Sequence, residues 1–367
     1  MKILVFSQHL FPIQSPRAHR TTELIKEFSR KGHEVTVYAV LGEYDYTSFE
    51  KKYNLNVKNI PVRFQKHAYN SDGDGKRHFI DKVLGRVFGK IFEYPNIEFR
   101  YSIPKIIVKE EKYDLLISIA APHHIHWGCS RAKLMHPKKF PSKWIADCGD
   151  PFMNNNIGNE HFKRYEKQER LFNELCDFIT VPIEGAKEAY YKEFREKIKV
   201  IPQGFNFNPI ETSDVSNKVV SFAYSGVFLS KMRDPFTFLK YLSEIKEDFR
   251  FYIFTPYLDL VNQFKDVLKE KMILKTMVPR DELLVFLKDM DFLLNLENVN
   301  STAQIPSKLI DYSIVNRPIL SINPENIDTV KINEFLNKDY LRKHVVDNID
   351  QYHISNVASS FIGLSDY

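Results

Sequence analysis

Short apolar runs alternate with amphipathic stretches along both halves of the chain. In the first half, apolar runs predict strands at residues 3–6, 35–39, 115–119, 144–146, 178–181 and 200–201, and helical spacing predicts helices at 21–30, 97–111, 161–175 and 184–194. In the second half, the same patterns predict strands at 219–224, 251–254, 292–296 and 318–320, and helices at 236–246, 281–288 and 307–315. Strands that alternate with helices are typical of parallel sheets covered on both faces. We therefore predict an α/β chain of two doubly wound domains.

The composition narrows the class of protein. The chain has 367 residues, of which 43% are apolar and 27% charged, and this is ordinary for a globular protein of two domains. Cys129, Cys148 and Cys176 are odd in number and widely spaced, so we expect free thiols in a reducing compartment, the cytoplasm. A net charge of +5 over this length does not suggest a nucleic-acid partner.

Cations concentrate in one segment, residues 76–92. Lys82, Arg86 and Lys90 lie four residues apart, and apolar residues occupy the other helical positions between them. Two interpretations stay open: a basic amphipathic helix on the inner face of a membrane, or a helix that packs on the core with a solvated basic edge. Gly85 and Gly89 weaken the helix prediction itself.

The most informative segment begins at residue 301, as a polar loop that contains Gln304 and leads into a helix at Pro306 and Ser307. Ser307 can cap this helix, whose first N–H groups then face outwards as an anion site. Lys308 adds a positive charge in the same turn, and Asp311 lies one turn further on. A cation, a helix N-terminus and a carboxylate together suit a nucleoside diphosphate with its ribose.

A second anion-binding candidate follows the strand predicted at 219–224. Gly226 lies at the strand exit, Lys231 and Arg233 lie in the loop, and Asp234-Pro235 predicts the start of the next helix. In an open parallel sheet, ligands bind beyond the carboxyl ends of the strands, where such loops lie.

These two segments resemble the carboxyl-terminal half of retaining glycosyltransferases of the GT-B fold, family-four type. The resemblance rests on the Gly-x(n)-Lys-x-Arg loop and on the Pro-Ser-Lys-x-x-Asp-Tyr helix that is followed by x-Pro-Ile. It implies that Lys231 and Arg233 hold the donor diphosphate and that Asp311 takes the place of the glutamate that binds the donor ribose. In the family, another acid precedes that glutamate by eight residues, but this chain has Ala303 there, and Glu297 is the nearest upstream acid.

The resemblance also implies an overall organisation and a reaction. Two Rossmann-like domains are expected to face each other across a cleft, with an acceptor domain at 1–203, a donor-binding domain at 204–345, and a final helix within about 346–367 that packs back on the first domain. The expected reaction moves a sugar from a UDP- or GDP-sugar to a glycan or lipid-linked acceptor with retention, in bacterial surface polysaccharide synthesis. Cations, and no metal, would neutralise the leaving group.

The first half offers candidates for the acceptor side and for catalysis. Gln8 and His9 follow the first strand, and Arg17, His19 and Arg20 precede the predicted helix at 21–30, where they either meet an anionic acceptor or face solvent. No Gly-x-Gly-x-x-Gly occurs in this region, which disfavours a nicotinamide cofactor, and no cofactor is expected.

Two further loops follow strands of the first half. His123 and His124 lie in a loop that extends to His126, and each either donates to a sugar hydroxyl or is structural. Asp150 belongs to Asp-x-Gly-Asp-Pro-Phe, which resembles the family's Asp-x-Arg-Asp-Pro-Trp motif, and it either lines the site or caps a turn. The three neighbouring histidines and the Asp-x-Asp strings at 72–74 and 289–291 are weak metal signals, and we interpret the strings as turns.

Three alternatives to a glycosyltransferase stay open. A nucleotide-sugar 2-epimerase shares the fold and donor but needs acids around the sugar, and the alanine at 303 does not favour it. A non-catalytic GT-B protein that binds a partner is consistent with the same missing acid. A two-lobed sugar-binding module is disfavoured because the chain does not begin with a signal peptide.

Overall fold

The computed structural model describes residues 1–13, 15–63, 94–149, 151–154, 163–207, 217–230, 232–298 and 307–366. The chain divides into two compact units, one formed by Met1–Asn206 with Gln351–Tyr367 and the other by Phe207–Asp350. Lys231, Asp150, Gln304, Pro306 and the basic segment 76–92 lie outside the described residues, and so do the turn predicted at 72–74 and Ala303. The predictions made for them therefore remain predictions.

A seven-stranded parallel sheet forms the centre of the first unit, in the order β3-β2-β1-β4-β5-β6-β7. Its strands are β1 (Lys2–Phe6), β2 (Glu34–Ala39), β3 (Asn56–Asn59), β4 (Leu115–Ile119), β5 (Lys143–Asp147), β6 (Phe178–Val181) and β7 (Ile198–Val200). Its helices up to residue 207 are α1 (Pro16–Arg30), α2 (Thr47–Tyr53), α3 (Phe99–Lys109), α4 (His124–Met135) and α5 (Glu166–Leu175). Short 3-10 segments lie at Asn96–Glu98, Lys163–Tyr165, Glu184–Ala189 and Lys192–Lys197.

The second unit repeats this plan with five parallel strands in the order β10-β9-β8-β11-β12. The strands are β8 (Val220–Ser225), β9 (Phe249–Phe254), β10 (Met272–Lys275), β11 (Phe292–Leu296) and β12 (Ile319–Ile322). The helices are α6 (Phe236–Glu244), α7 (Asp259–Asn262), α8 (Lys265–Leu268), α9 (Arg280–Leu287), α10 (Ser307–Val315) and α11 (Thr329–Leu336), with 3-10 segments at Lys269–Lys271 and Ile349–Tyr352.

The last helix, α12 (Ile354–Gly363), belongs to the first unit. Val357 and Phe361 are fully buried in the same apolar cluster as Leu24 and Phe28 of α1. The backbone of Phe205 bonds to both sides of the returning segment: its N–H donates to Tyr352 O (2.8 Å) and its carbonyl accepts from Ile354 N (2.8 Å). The carboxyl-terminal segment therefore completes the core of the first unit.

Burial on both faces explains why the strands read as continuous apolar runs. All five residues of β4 are buried, with Leu116 in one apolar cluster and Leu115, Ile117 and Ile119 in the other. In each sheet the strand order reverses beside the first strand of the unit, because β1 lies between β2 and β4, and β8 lies between β9 and β11. Ligands of open parallel sheets bind at such reversals, beyond the carboxyl ends of the strands.

Three predictions of local structure were wrong. The helix predicted at 21–30 begins at Pro16, because Ser15 Oγ accepts a hydrogen bond from Ala18 N (3.2 Å) and a proline suits the first helical position. The loop predicted to extend to His126 ends at His123, because α4 begins at His124. The helix predicted at 184–194 is two 3-10 segments, because the chain is extended at Tyr190, whose buried side chain joins the core.

Candidate functional site

The loop after β8 folds tightly at the carboxyl end of the strand. Gly226 has φ +142°, a conformation that favours glycine, and its N–H donates to Phe254 O of the neighbouring strand (3.0 Å). Further along, Leu229 and Arg233 bond to each other through their backbones: Arg233 N donates to Leu229 O (2.8 Å) and Leu229 N to Arg233 O (3.3 Å). The loop therefore doubles back, with Arg233 at its base.

Lys308 lies in the first turn of α10 and is buried, with 8% of its surface exposed. Its ammonium lies over the ring of Tyr224, with Nζ 4.4 Å from the ring centroid, and no described residue forms a hydrogen bond with it. Burial, followed by the charge of Arg233, lowers the pKa of Lys308 to about 7. A lysine in such a place gains stability if an anion joins it.

Arg233 is the second cation of this cluster. It is near enough to Lys308 to lower the pKa of that ammonium, so the structure brings together two of the cations that the sequence proposed. Its Nε is buried and has no hydrogen-bond partner within the described ranges. A buried ammonium and a half-buried guanidinium, each with an unsatisfied donor, lie at the carboxyl end of β8 and the start of α10, an arrangement that favours an anion. The helix α10 starts at Ser307, as predicted, and the side chain of Ser307 lies outside the described part of the structure.

A buried tyrosine fixes α10 to the sheet. Tyr312 is fully buried, and its hydroxyl accepts a hydrogen bond from Ser225 N, the last residue of β8 (2.9 Å). Tyr224, from the same strand, stacks on Phe228 with ring centroids 4.3 Å apart and donates its hydroxyl to Val227 O (3.1 Å). These contacts hold the glycine loop and the start of α10 in one arrangement.

Asp311 faces a partner that the sequence analysis missed. Its Oδ1 accepts a hydrogen bond from Nε of Arg280 (2.9 Å), and Nη2 of that arginine lies 2.7 Å away from the same oxygen. Burial raises the pKa of Asp311, and Arg280 opposes this effect. Asp311 is thus on the predicted helix and near its start, but as half of an ion pair.

Polar groups also lie at the carboxyl end of β11, beside Glu297, the nearest acid upstream of Asp311. Glu297 is exposed, and its Oε1 accepts a hydrogen bond from Ser321 Oγ (2.9 Å), which in turn accepts from Asn295 Nδ2 (2.7 Å). Asn295 Oδ1 is buried and has no partner among the residues that the structure describes. The carboxyl end of β11 therefore offers hydrogen-bonding groups that the sequence pattern alone did not reveal.

In the first unit, a buried ion pair occupies the carboxyl ends of the strands. Arg20 donates from Nε to Asp147 Oδ2 (2.6 Å) and from Nη2 to Oδ1 (2.7 Å), and Thr180 Oγ1 donates to that same Oδ1 (2.7 Å). Arg20 is only 2% exposed and also binds the carbonyls of Pro202 and Ile201. Both proposed roles of Arg20, acceptor contact and solvent exposure, are therefore wrong: it is structural, as Asp147 is.

Arg17 lies over Gly149, the position where the resembling motif has arginine. A Cβ at residue 149 would lie 1.9 Å from Nη2 of Arg17, so a side chain there would displace this guanidinium from its present position. Arg17 is 27% exposed and lies 3.8 Å from Asp147 Oδ2, an oxygen that Arg20 already occupies. A basic group is thus present at the carboxyl edge even though residue 149 has no side chain.

The other acceptor-side candidates lie around the same edge. Gln8 and His9 follow β1, where the carbonyl of Gln8 accepts from Val40 N (3.1 Å) and that of His9 from Ser7 Oγ (3.1 Å). His19 lies in α1, with its ring 5.7 Å from that of Phe205. All three are partly buried.

The histidines after β4 have different surroundings. His123 is partly exposed at the start of α4, with its ring 5.5 Å from that of Phe152, whereas His124 is 3% exposed and packs on Trp127 at 4.3 Å. His126 is fully buried and bonds to Ser118 Oγ (2.8 Å) and Cys148 Sγ (3.3 Å). Burial lowers the pKa of His126 far below its usual value, so this histidine is a neutral part of the core.

A buried glutamate supports the loop that follows Asp150. Glu169 of α5 is fully buried and accepts hydrogen bonds from Phe152 N (2.6 Å), Met153 N (3.2 Å) and the hydroxyl of Tyr191 (3.2 Å). No feature of the sequence suggested this function for a glutamate inside an amphipathic helix.

The described ranges also bear on metal binding and on membrane spanning. No three His, Cys, Asp or Glu side chains there come together as metal ligands. Asp291 instead accepts hydrogen bonds from Ser221 N (2.8 Å) and Asn217 Nδ2 (3.0 Å), which is a structural role. The three cysteines are free, as predicted, and all three are buried. No described helix is long and apolar enough to cross a membrane.

Comparison with known proteins gives similarity at the level of structure only. No family model matches the chain, and no curated protein matches it by sequence. A glycosyltransferase from Rickettsia africae ESF-5 has a TM-score of 0.59 at 13% identity, over 99% of this chain and 93% of that one. The lipopolysaccharide outer core galactosyltransferase WaaB, in its apo form, has a TM-score of 0.59 at 12% identity, over 99% of both chains.

A third similar structure contains a nucleotide. Anabaena Alr3699/HepE in complex with UDP has a TM-score of 0.57 at 11% identity, over 100% of this chain and 98% of that one. These neighbours are glycosyltransferases of the GT-B fold. Structural similarity at 11–13% sequence identity establishes the architecture alone, and the two parallel-sheet units agree with it. The chain has the two-domain, Rossmann-like GT-B fold.

Proposed function

We propose that this protein is a glycosyltransferase of the retaining, family-four type, which transfers a sugar from a nucleotide-sugar donor. The observation that carries the proposal is a pair of neighbouring cations, the buried Lys308 and the half-buried Arg233, at the point where the strand order of the second unit reverses. Their donors lack partners among the described residues, and they adjoin the start of a nine-residue helix. A diphosphate would satisfy the cations and the helix N–H groups together.

The chemistry follows from where charge develops. When the bond between the sugar and the diphosphate breaks, negative charge grows on the leaving phosphate oxygen. Fixed cations stabilise this charge more in the transition state than in the ground state, and we propose that Lys231 joins Lys308 and Arg233 in this role. The burial of Lys308 strengthens its interaction with this charge, because little water screens it. The cations would make a metal unnecessary.

The donor is best sought among UDP-sugars, followed by GDP-sugars. HepE was crystallised with UDP, and both this chain and HepE have the same architecture. Ser307, Gln304, Pro306 and Gly226 would line the donor site through backbone groups or short side chains. Asp311 would bind the ribose.

The acceptor would meet groups of the first unit. Arg17, Gln8, His9 and His19 lie near the carboxyl edge of its sheet, and His123 and Asp150 belong to loops that follow its strands. A cation such as Arg17 suits an acceptor that carries phosphate or carboxylate. We propose a glycan or lipid-linked acceptor of bacterial surface polysaccharide synthesis, reached at the inner face of the membrane with the help of residues 76–92.

A donor panel tests the proposal. The protein is incubated with UDP-, GDP-, ADP- and CMP-sugars and a set of lipid-linked and free glycans, and released nucleotide and product anomers are measured. A transferase releases nucleotide and forms a product with the anomeric configuration of the donor. Interconversion of donor sugars without transfer would indicate a 2-epimerase, and no reaction with any donor would favour a binding protein.

Substitutions then locate the site. Lys231→Ala and Arg233→Ala are each expected to lower the rate about 10²–10³-fold, as removal of one transition-state donor does elsewhere. Arg250→Ala is the matched control, because Arg250 lies near the amino end of β9, where its Nη1 bonds to Asp248 (2.6 Å). Full activity in both loop variants would place the diphosphate elsewhere.

A further inference from the structure

The ion pair of Arg280 and Asp311 has a feature that helix stability does not explain. Arg280 is the first residue of α9, and a cation at a helix N-terminus is opposed by the helix dipole, which favours acids there. Asp281 and Glu282, the next two residues, follow that rule. Arg280 is therefore placed against its own helix, and its partner on α10 accounts for the placement.

The pair engages the two oxygens of Asp311 unequally. Nε and Nη2 of Arg280 both approach Oδ1, at 2.9 and 2.7 Å. In the part of the chain that the structure describes, no group donates a hydrogen bond to Oδ2. A planar guanidinium that holds one oxygen fixes the plane of the carboxylate and leaves the other oxygen as an acceptor.

The elements that carry the pair are packed rigidly against each other. Leu283, Leu284 and Leu287 of α9 share an apolar cluster with Leu309 and Tyr312 of α10. Both helices follow strands of the parallel sheet, so both begin at its carboxyl edge, where the cations also lie. Asp311 is three residues after Lys308, which is about one helical turn, so the carboxylate and the ammonium lie on neighbouring parts of the same helix surface.

Without a partner, this carboxylate would lose its charge easily. Its side chain is only 16% exposed, and burial raises the pKa of Asp311, whereas Arg280 favours the charged form. A charged carboxylate accepts hydrogen bonds from hydroxyls more strongly than a protonated one. An adjacent pair of hydroxyls on a sugar ring is the ligand that such a group suits.

We propose that Arg280 is a positioning residue, which fixes Asp311 through Oδ1 and directs Oδ2 to the ribose hydroxyls of a nucleoside diphosphate. The inference rests on the proposed function, because it takes the nucleotide site as given. It adds a residue from a different helix to that site. It also makes the site selective for a ribonucleotide.

Binding of nucleotides with and without ribose hydroxyls tests the inference. Dissociation constants are measured by calorimetry for the best-bound of UDP, GDP and ADP and for its 2′,3′-dideoxy analogue. We expect the protein to prefer the ribonucleotide about tenfold or more, which is the value of a charge-assisted hydrogen bond. In Arg280→Gln the preference is expected to fall to about threefold or less, as in Asp311→Asn, and Arg280→Lys is expected to restore part of it.

The control is Arg250→Gln, which breaks an Arg–Asp contact near the opposite edge of the same sheet and is expected to keep the full preference. Equal weakening of both nucleotides by Arg280→Gln would show a merely structural residue and overturn the inference, while the proposed function would stand. If no nucleoside diphosphate binds the unsubstituted protein, the proposed function fails first. If Arg280→Gln does not fold, the preference for the ribonucleotide is measured in Arg280→Lys and Asp311→Asn instead. A preference in both variants equal to that of the unsubstituted protein would overturn the inference.

Discussion

Lys308 shows how one residue links the sequence to the chemistry. The motif Pro-Ser-Lys predicted a cation at the start of a helix, and the structure buries that cation over a tyrosine ring. Burial of a charged ammonium with no acidic partner lowers the stability of the folded protein, and this cost favours the neutral amine. The pKa of Lys308 is therefore lowered to about 7. The protein therefore maintains a costly group at this position, which is typical of functional sites.

The affinity for a nucleotide sugar should depend on pH through Lys308. Because the pKa is lowered to about 7, the ammonium loses its proton above that value, and an anion binds best to the protonated form. The phosphates of a UDP-sugar keep their charge between about pH 6 and 9, so their own titration does not change the affinity over this range. We expect the affinity of the cognate donor to fall up to about tenfold for each pH unit above 7, as measured by calorimetry.

Lys308→Arg is the control for this dependence, because arginine stays charged throughout this range. The variant is expected to bind with a flatter pH profile. The free protein should show the opposite trend in stability: its free energy of unfolding rises with pH between about 7 and 10.5, where the unfolded chain binds the proton and the folded chain does not. Affinity that is constant across pH 7 would mean that Lys308 does not contact the ligand.

Only some of the site residues were predictable from the sequence. Lys308, Arg233 and Gly226 lie in compact motifs, whose chemistry is visible in neighbouring residues. Arg280 is 31 residues from Asp311, and Tyr312 is 87 residues from Ser225, so neither contact has a local signal. Arg20 was misassigned because a basic residue at a helix start looks solvent-exposed until its buried acid, 127 residues away, is known.

At the scale of elements, the hydrogen bond between Tyr312 of α10 and Ser225 of β8 fixes the two segments that carry the cations. Tyr312→Phe would leave Ser225 N buried without its acceptor, which is expected to lower the free energy of unfolding by about 1–3 kcal/mol. Because the start of α10 would then be less well fixed to the glycine loop, nucleotide affinity should fall as well. Chemical denaturation and calorimetry measure the two effects.

Tyr241→Phe is the comparison, because its hydroxyl bonds to Asn333 Oδ1 (2.9 Å) at an exposed place in the same unit. This variant is expected to lose no more than about 1 kcal/mol and to keep its affinity. If the two variants behaved alike, the contact of Tyr312 would not be what fixes α10.

Element prediction succeeded where burial alone determines structure. The strands at 115–119, 178–181 and 292–296 have the predicted bounds, because each is a short apolar run between turn signals. It failed at 184–194, where the sequence has helical composition but Tyr190 must reach the core. The strand β10 and the helix α11 were not predicted, because Met-Ile-Leu-Lys is short and the pattern after residue 328 is weak.

At the scale of the whole molecule, the chain ends in the unit where it began. Phe361 of α12 is fully buried, with its ring 6.3 Å from that of Phe28 and 5.4 Å from the guanidinium carbon of Arg20. Phe361→Ala is expected to cost about 3–5 kcal/mol of stability, as large-to-small changes in cores do. Differential scanning calorimetry gives the loss.

Nucleotide binding should survive this substitution, because the proposed donor site lies within the second unit. The control is Val345→Ala, at a residue that is 64% exposed, for which little loss of stability is expected. If Phe361→Ala abolished nucleotide binding while the protein stayed folded, the donor site would depend on the first unit, contrary to this account.

The second unit's binding of a pyrophosphate is the central claim, and a crystal structure with a bound nucleoside diphosphate tests it most directly. The prediction is that the diphosphate lies at the start of α10, with phosphate oxygens within hydrogen-bond distance of Lys308 Nζ and of the Arg233 guanidinium. A nucleotide bound elsewhere, with Lys308 still covered only by Tyr224, would contradict the account.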